Sequence, residues 1–374
     1  MKNIFSIAAL ASIASAQWIP DVPVDHRSLD EIYEAAKQEQ GTLVVSAGGD
    51  AADQNDMFIQ YFLDRFPEIK LDWTVDLSKY HDSRIDREWY EDDPKTDVVL
   101  LQTLHDYPRW KSQNRLLYYK PPTFDQIYAS EKDLDGAYVP FWINTFGRIS
   151  YDCSKIDGSE VPESFADFAD PKWKGKLVLT YPNDDDAIAF LFSTIISKYG
   201  MDWLDALAAN DVLWLRGTYS PEAAIAARHN TSSERALTFT AIVGSTAEWW
   251  NFKDPSEDLG MAWSQTAAIL SSTKMPETAK LLVAYFTSEE FNNIIAATGA
   301  NVPLKNIDRG ALYDNNVTEI THFREFQENR ATVEWWKLQY ETILGTPQGP
   351  SPLDVYTRQA NGSAAIHKWC NVIA

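Results

Sequence analysis

The sequence is poor in the residues that build metal and redox sites. It has 2 cysteines and 6 histidines in 374 residues, and this excludes a disulfide-rich scaffold and a zinc site of the common cysteine and histidine spacing. Beyond the N-terminus, no stretch approaches the ~20 apolar residues of a transmembrane helix. The catalytic motifs H-E-x-x-H, G-x-S-x-G and G-x-G-x-x-G do not occur.

Basic residues are also scarce. The chain has 33 lysines and arginines against 54 acidic residues, and its net charge is −21. This balance argues against nucleic acid as a partner and against adhesion to an anionic membrane, since both need clustered cations. What the chain does have is a hydrophobic content of 45% with 13% aromatic residues, enough for a large core in two domains or one large one.

The first residues are typical of an export signal. Lys2 precedes the short apolar run Ile4–Ile13, and Ala14–Ala16 fits an A-x-A cleavage site before Gln17. We therefore expect residues 1–16 to be a signal peptide. The mature protein is expected to be secreted to the extracellular space without membrane insertion.

Export has consequences for modification. Asn230, Asn316 and Asn361 each begin an N-x-S/T sequon, so they are candidate glycosylation sites. Cys153 and Cys370 form an even pair in a chain expected to reach an oxidising compartment, which predicts one disulfide between them.

The N-terminal part alternates strands and helices. Ser28–Glu31 forms a capping box at the start of a helix. A second helix is predicted around Phe58, Tyr61, Phe62 and Phe66. The predicted strands are Thr42–Ser46, Ile69–Val75 and Asp97–Leu101. This order predicts β-α-β units in a parallel sheet.

The alternation resumes after residue 175. Predicted strands are Lys176–Thr180, Asp211–Leu215 and Arg235–Val243; predicted helices are Ala187–Tyr199 and one with Ser220 as N-cap and Pro221 at its first position. The extended runs Tyr138–Tyr151 and Gly260–Leu270 separate the two blocks. We therefore expect an α/β protein of two lobes, each with a βα sheet, joined by two crossing segments. Lobe 1 is expected to comprise 17–144 plus 266–374, and lobe 2 145–265.

Four stretches resemble a known family: EAAKQEQGTLVVS from Glu34, SFADFADPKWKGK from Ser164, VLWLRGT from Val212, and QTAAILSSTKMPETAKLLVAYFTSEE from Gln265. They resemble the extracellular solute-binding proteins of ABC importers, in the ferric-iron and thiamine branch of the type II periplasmic-binding fold. The likeness covers roughly residues 28–300. With its sequons and no lipid anchor, the chain resembles the secreted fungal members. The resemblance implies two lobes that close on a ligand without covalent chemistry.

Candidate ligand-binding residues follow from the fold, since ligands of open α/β sheets lie at the carboxyl ends of strands beside helix N-termini. They are Ser46, Gly48, Gly49, Asp50, Trp142, Asn144, Asp184, Asp185, Arg216, Thr218 and Trp263. Backbone N–H groups of the Ser46–Asp50 turn are further candidates. Other roles stay open: Asp50 and one of the later aspartates as N-caps, Arg216 as a salt-bridge partner, and the tryptophans as core.

The ligand itself stays undecided at this stage. The ferric branch holds iron with two adjacent tyrosines, but the corresponding stretch Leu237–Val243 has none, so we expect no metal and no cofactor. The aspartates favour a cationic or polyhydroxylated compound, whereas Arg216 favours one with an anionic group. A small polar solute held by a monomer is the main expectation. A secreted carbohydrate hydrolase and a ferric-iron-binding protein are the alternatives, and a transporter or host partner stays open.

Overall fold

The computed structural model describes residues 20–241, 247–308, 319–358 and 364–366. The predicted signal peptide and Cys370 lie outside the described residues, as do the sequon residues Asn316 and Asn361. Asn230, the sequon inside the described part, is exposed.

The chain folds into alternating helices and strands. The strands are β1 Leu43–Gly48, β2 Leu71–Asp76, β3 Val98–Leu101, β4 Leu116–Leu117, β5 Val139–Phe146, β6 Ile149–Asp152, β7 Val178–Thr180, β8 Leu213–Leu215, β9 Leu237–Thr238, β10 Trp250–Lys253, β11 Met261–Leu270, β12 Tyr356–Arg358 and β13 Ala364–Ile366. The helices are α1 Leu29–Ala36, α2 Asp56–Arg65, α3 Ser78–Tyr90, α4 Asp106–Ser112, α5 Asp186–Tyr199, α6 Asp202–Ala208, α7 Ser220–Ala226, α8 Pro276–Phe286, α9 Glu289–Ala296, α10 Lys305–Asp308, α11 Thr321–Glu328, α12 Arg330–Leu344 and α13 Pro352–Val355. None of these described helices is long and apolar enough to cross a membrane.

The larger sheet has the strand order β2-β1-β3-β11-β4, with β5 also paired to β11. β1 is parallel to β2 and β3, as the β-α-β alternation predicts. The sheet as a whole is mixed, because β11 returns antiparallel to β3, β4 and β5. The predicted parallel arrangement is confirmed for β1, β2 and β3, and β11 adds an antiparallel strand to it. The central strand β3 is buried along its whole length, consistent with helices on both faces.

The second group of strands is smaller and more fragmented. β7 and β8 pair in parallel, and β6 lies between β9 and β10 in a three-stranded antiparallel sheet. Within residues 235–241, the described part of the strand predicted over Arg235–Val243, only the two residues of β9 form a strand. The molecule is thus a two-lobed α/β protein, with one lobe around the larger sheet and the other around these shorter strands.

β5 and β11 are the long strands that connect the two lobes. They pair antiparallel from Met261 opposite Phe146 to Ala267 opposite Val139, with a register shift between Gln265 and Thr266. The expected lobe boundaries at 144/145 and 265/266 both fall inside this pair. The boundaries themselves stay a prediction.

Two helix starts show how far local patterns reach. The capping box is confirmed: Ser28 Oγ accepts from the Glu31 N–H at 3.2 Å, and Glu31 Oε2 accepts from the Ser28 N–H at 2.8 Å. At α7 the predicted cap is wrong by one residue. Tyr219 occupies the N-cap position, and Ser220 is the first helical residue without a capping hydrogen bond.

Candidate functional site

A cleft of about 790 Å³ lies between the two lobes. Its lining comes from the turn after β1, the end of β3, both connecting strands β5 and β11, and the turn before α7. The carboxyl ends of β1 and β3 therefore face the cleft, as expected for a ligand site in an open α/β sheet.

The cleft brings most of the sequence-predicted residues together. Those that line it are Gly48, Gly49, Asp50, Trp142, Asn144, Asp185, Thr218 and Trp263. The other three lie elsewhere. Ser46 is buried in β1, where its Oγ lies 3.1 Å from Thr96 Oγ1. Asp184 lines a smaller neighbouring cavity, and Arg216 is bound to Asp184.

Asp50 connects the two lobes directly. Its Oδ2 accepts hydrogen bonds from the Thr218 N–H, from Thr218 Oγ1 at 2.9 Å and from the Tyr219 N–H at 3.3 Å. The N-cap of α2 is Asn55, so Asp50 does not have the capping role considered for it. Burial raises the pKa of Asp50 despite these hydrogen bonds. This carboxylate is occupied by the protein itself.

The backbone N–H groups of the turn after β1 are also used within the protein. The Gly49 N–H donates to Asp76 O at 2.9 Å, and the Asp50 and Ala51 N–H groups donate to Gln54 Oε1 at 2.8 and 3.3 Å. A Cβ atom at Gly49 would lie 2.1 Å from Gln54 Nε2. The glycine is therefore needed to admit the Gln54 side chain, and the expected backbone cradle for a ligand is filled by that side chain.

Asp184 and Arg216 form part of a charge network beside the cleft. Asp184 Oδ1 lies 3.0 Å from Lys79 Nζ, and its Oδ2 accepts from Arg216 Nε at 3.1 Å. Burial opposes ionisation of Asp184, but the charge of Lys79 and the bond from Arg216 outweigh it and lower its pKa. Arg216 also donates to Tyr80 Oη at 3.3 Å. The salt-bridge role considered for Arg216 is the one that the structure shows.

Asp185 is the N-cap of α5. Its Oδ1 accepts from the Ala187 and Ile188 N–H groups at 2.7 and 3.2 Å. Burial, together with the charges of Asp50 and Asp186, raises its pKa to about 6. The expectation that one of the consecutive aspartates caps the next helix is thus confirmed for this residue, which also lines the cleft.

The two predicted tryptophans differ in their surroundings. Trp142 is half-buried, packs edge-on against Phe58 with ring centroids 4.7 Å apart, and donates from Nε1 to Asn144 Oδ1 at 2.8 Å. Trp263 is only 3% exposed and packs against Phe323 at 5.6 Å. Its Nε1 has no hydrogen-bond partner among the described residues. Trp142 is therefore the more accessible of the two rings at the cleft.

Sequence reasoning missed several amide and aromatic side chains of the cleft. They are Gln54, Asn55, Phe58, Trp73, Gln102, Phe252, Gln265 and Asn301. Gln102 directly follows the buried strand β3, so the rule that selected the other turns also applies to it. Gln265 could also have been predicted as a cleft residue, because it lies on the crossing segment Gly260–Leu270. Nothing in the local sequence marks Asn301.

The charged groups of the cleft have hydrogen-bond or ion-pair partners within the protein. Arg148 is the only cationic side chain among the described lining residues, and its Nε donates to Asp254 Oδ1 at 2.8 Å. Among the same described residues, Tyr219 is the only tyrosine of the lining. Burial, assisted by the charges of Glu222 and Asp50, raises its pKa to about 12, so a tyrosinate is disfavoured there. The cleft thus presents amides and aromatic rings rather than free charges.

Comparison with known proteins agrees with this architecture. HitA of Pseudomonas aeruginosa, solved with iron, matches with a TM-score of 0.60 and 18% identity over 82% of this chain and 100% of its own. AfuA of Actinobacillus pleuropneumoniae, solved with fructose-6-phosphate, matches with a TM-score of 0.62 and 18% identity over 81% of this chain and 99% of its own. An ABC-transporter substrate-binding protein of Agrobacterium tumefaciens matches with a TM-score of 0.63 and 15% identity over 82% of this chain and 96% of its own.

These identities are low, so the structural matches show the fold alone. No curated protein matches the chain. A family model, described as bacterial extracellular solute-binding protein, matches residues 93–321, which is more than half of the chain. The chain therefore belongs to the family of bacterial extracellular solute-binding proteins.

Proposed function

We propose that the protein is a secreted solute-binding protein whose cleft holds an uncharged, polyhydroxylated ligand and releases it chemically unchanged. The observation that carries this proposal is the lining of the cleft. Its charged side chains have hydrogen-bond or ion-pair partners within the chain, and aromatic rings and amide groups line the space of about 790 Å³.

Amide side chains suit hydroxyl-rich ligands because each carries both donors and an acceptor. Gln102, Asn144, Gln265 and Asn301 bring such groups to the cleft. Some of their atoms already bond within the protein, as Asn144 Nδ2 does to Gln265 Oε1 at 3.5 Å. The half-buried ring of Trp142 offers an apolar face against which the C–H face of a sugar ring can stack. Together they match a solute that has many hydroxyl groups and no net charge.

The other ligand classes find less support. A phosphate or carboxylate needs a free cation, and Arg148 is already bound to Asp254. A ferric ion needs anionic oxygen donors, yet Asp50 is hydrogen-bonded to Thr218 and Tyr219. HitA was solved with iron and AfuA with fructose-6-phosphate, so ferric iron and sugar phosphates remain the ligands to test against.

A thermal-shift panel of neutral mono- and oligosaccharides, polyols, sugar phosphates, thiamine and ferric citrate tests the ligand class. A true ligand at 100 times its Kd stabilises the fold by ~2.7 kcal/mol. We expect the neutral saccharides or polyols to raise the Tm. A shift with ferric citrate alone, or with phosphate esters alone, would overturn the proposed class.

The same experiment locates the ligand. Trp142→Ala should reduce the shift to about half or less, whereas Trp335→Ala should retain it in full. Trp335 is a matched control because it is an exposed tryptophan of α12 that is not part of the cleft lining. Equal shifts in the two variants would place the ligand outside this cleft.

The proposal also states that the protein is not an enzyme. The alternative, a secreted carbohydrate hydrolase, predicts that the bound saccharide is cleaved during incubation. Mass spectrometry of the recovered ligand distinguishes the two, since a binding protein returns the intact mass. Appearance of shorter saccharides with the wild-type protein, but not with Trp142→Ala, would support the hydrolase instead.

Secretion and lobe closure belong to the same proposal. Cleavage after residue 16 should give a mature chain that begins at Gln17, and glycosylation at the exposed Asn230 would suit a secreted fungal member. With lobes of 17–144 plus 266–374 and 145–265, ligand binding should close the cleft. Small-angle scattering should then show a smaller radius of gyration at saturation, and an unchanged radius would count against closure.

A further inference from the structure

A second, smaller cavity of about 120 Å³ lies beside the cleft. Gly49, Asp50, Gln102 and Asp185 line both spaces. The remaining lining of the small cavity is strongly charged, with Asp82, Asp184 and Asp186 among the acids and Lys79, Arg330 and Lys337 among the bases. A space of this size holds an ion with a few water molecules.

The three cations of this cavity are committed to two of the aspartates. Lys79 lies 3.0 Å from Asp184, and Lys337 lies 2.6 Å from Asp186, which also binds Arg330. These pairs leave the carboxylate of Asp82 without a cation from the cavity wall. Carboxyl groups therefore outnumber cations in this space, which favours the uptake of a proton or of an additional cation.

Asp82 belongs to a cluster with ligand atoms at close range. Oxygen atoms of Asp82 and Asp106 and a ring nitrogen of His105 all lie within 4.8 Å of one another. Asp106 is 1% exposed, and its Oδ1 is held by Arg109 at 2.6 Å. Its Oδ2 accepts no hydrogen bond from an N–H or hydroxyl group of the described residues, and the carboxyl group of Asp82 lies close to it. A buried carboxylate oxygen beside a second carboxylate is costly unless a proton or a metal cation lies between them.

Thr103 provides a second, independent indication. Its side chain is 6% exposed, it lines the same small cavity as Asp82 and His105, and its Oγ1 has no hydrogen-bond partner among the described residues. Buried hydroxyl groups are normally hydrogen-bonded. A hydrated ion in this cavity would supply that partner through one of its water molecules.

We propose that Asp82, His105 and Asp106 bind one divalent first-row transition-metal ion of the Zn²⁺ type. Two carboxylate oxygens and one imidazole nitrogen form a mixed donor set that suits Zn²⁺, whereas Mg²⁺ and Ca²⁺ take oxygen ligands. Arg109 holds Asp106 in place, as outer hydrogen-bond partners of metal ligands do. The site is separate from the proposed solute-binding lining, since none of the three residues lines the cleft.

Isothermal titration calorimetry of the full secreted chain with Zn²⁺ alone, in a buffer free of phosphate and chelators, tests this site. We expect one Zn²⁺ per chain. Asp82→Asn and His105→Gln should each weaken binding at least about tenfold. His322→Gln is the matched control: this histidine is exposed, lies 3.6 Å from Glu319 and should leave the titration unchanged.

The outcomes separate this site from others. Zn²⁺ binding that persists at wild-type affinity in both Asp82→Asn and His105→Gln would overturn the proposal, whether the ion is held by a thiol or in the cleft. Displacement of Zn²⁺ by millimolar Mg²⁺ would contradict the proposal that a nitrogen ligand takes part in binding. Circular dichroism shows whether each variant is folded. If Asp82→Asn does not fold, the Zn²⁺ affinity of the folded His105→Gln variant tests the proposal. Loss of Zn²⁺ binding with an unchanged saccharide shift would separate this site from the proposed function.

Discussion

The two neighbouring cavities share part of their wall but differ in how their charges are paired. In the cleft, Asp50 is satisfied by N–H and hydroxyl groups of the other lobe, and Arg148 is bound to Asp254. In the small cavity, aspartates outnumber cations, and Asp106 Oδ2 accepts no hydrogen bond from an N–H or hydroxyl group of the described residues. The difference shows that an acidic sequence does not make every acidic pocket a cation site. What matters is whether a carboxylate finds its partner inside the protein.

Asp50→Ala should have the largest effect, because it removes the acceptor that joins the two sides of the cleft. It leaves the Thr218 and Tyr219 N–H groups without their acceptor, and each buried unsatisfied donor costs about 1–3 kcal/mol. We expect the free energy of unfolding to fall by ~2–5 kcal/mol in urea titrations. Asp50→Asn keeps an acceptor oxygen and should lose much less. Equal losses for the two variants would contradict the role of the hydrogen bonds.

The contribution of Asp185 to stability should depend on pH. Its folded pKa of about 6 exceeds the ordinary value, so the folded state binds the proton more tightly than the unfolded state between pH ~4 and 6. Its contribution to stability is therefore present at low pH and is lost as the pH rises through 6. Two pKa units correspond to at most about 3 kcal/mol.

Asp185→Asn removes this charge and keeps a side chain suited to the N-cap position. The variant should have the higher Tm at pH 7.5 and little or no advantage at pH 4.5. Asp184→Asn is the control with the opposite sign, because the pKa of Asp184 is lowered and its charge stabilises the fold at neutral pH. A Tm advantage of Asp185→Asn that does not depend on pH would contradict the prediction.

Trp142→Ala addresses the binding surface rather than the stability. Loss of a stacking ring should weaken a saccharide or polyol at least about tenfold, or ~1.4 kcal/mol. Asp184→Asn should leave the affinity unchanged, since Asp184 lies outside the cleft lining. Isothermal titration calorimetry measures both. Weaker binding in Asp184→Asn with unchanged binding in Trp142→Ala would reverse the assignment of the two residues.

The smallest expected effect concerns Ser46. Ser46→Ala removes its hydrogen bond to Thr96 and should cost ~1 kcal/mol of stability, with no change in ligand affinity. Urea unfolding and calorimetry on the same variant check both parts. A clear loss of affinity without loss of stability would return Ser46 to the ligand site.

Much of the first lobe follows from local sequence. The Ser28–Glu31 capping box and the parallel β-α-β units appear in the structure as predicted, because hydrogen bonding within a turn and the period of apolar residues are local properties. The antiparallel return of β11 was not predictable in this way, since strand direction depends on which distant strand offers a free edge. The length predicted for β9 was too great for a related reason, since an apolar run does not indicate at which residue strand pairing ends.

For the candidate site, too, residue positions could be predicted from the sequence, whereas the partners of the charged groups could not. Residues at strand ends, such as Gly48 and Thr218, reach the cleft because topology places the carboxyl ends of strands there. The chemical role of each acid was decided by partners far away in the sequence. Asp50 binds Thr218, 168 residues away, and Asp184 binds Lys79, 105 residues away.

The secondary structure of most segments, the family resemblance and the excess of acidic charge could be predicted from the order of the residues. Which carboxylates are neutralised, which backbone donors are already used, and that Asp82, His105 and Asp106 meet became visible only in the folded chain. Hydrogen bonds and ion pairs in a buried site act over a short range. A carboxylate keeps or loses its capacity for a ligand according to atoms within about 3 Å of it, and folding chooses those atoms from anywhere in the chain.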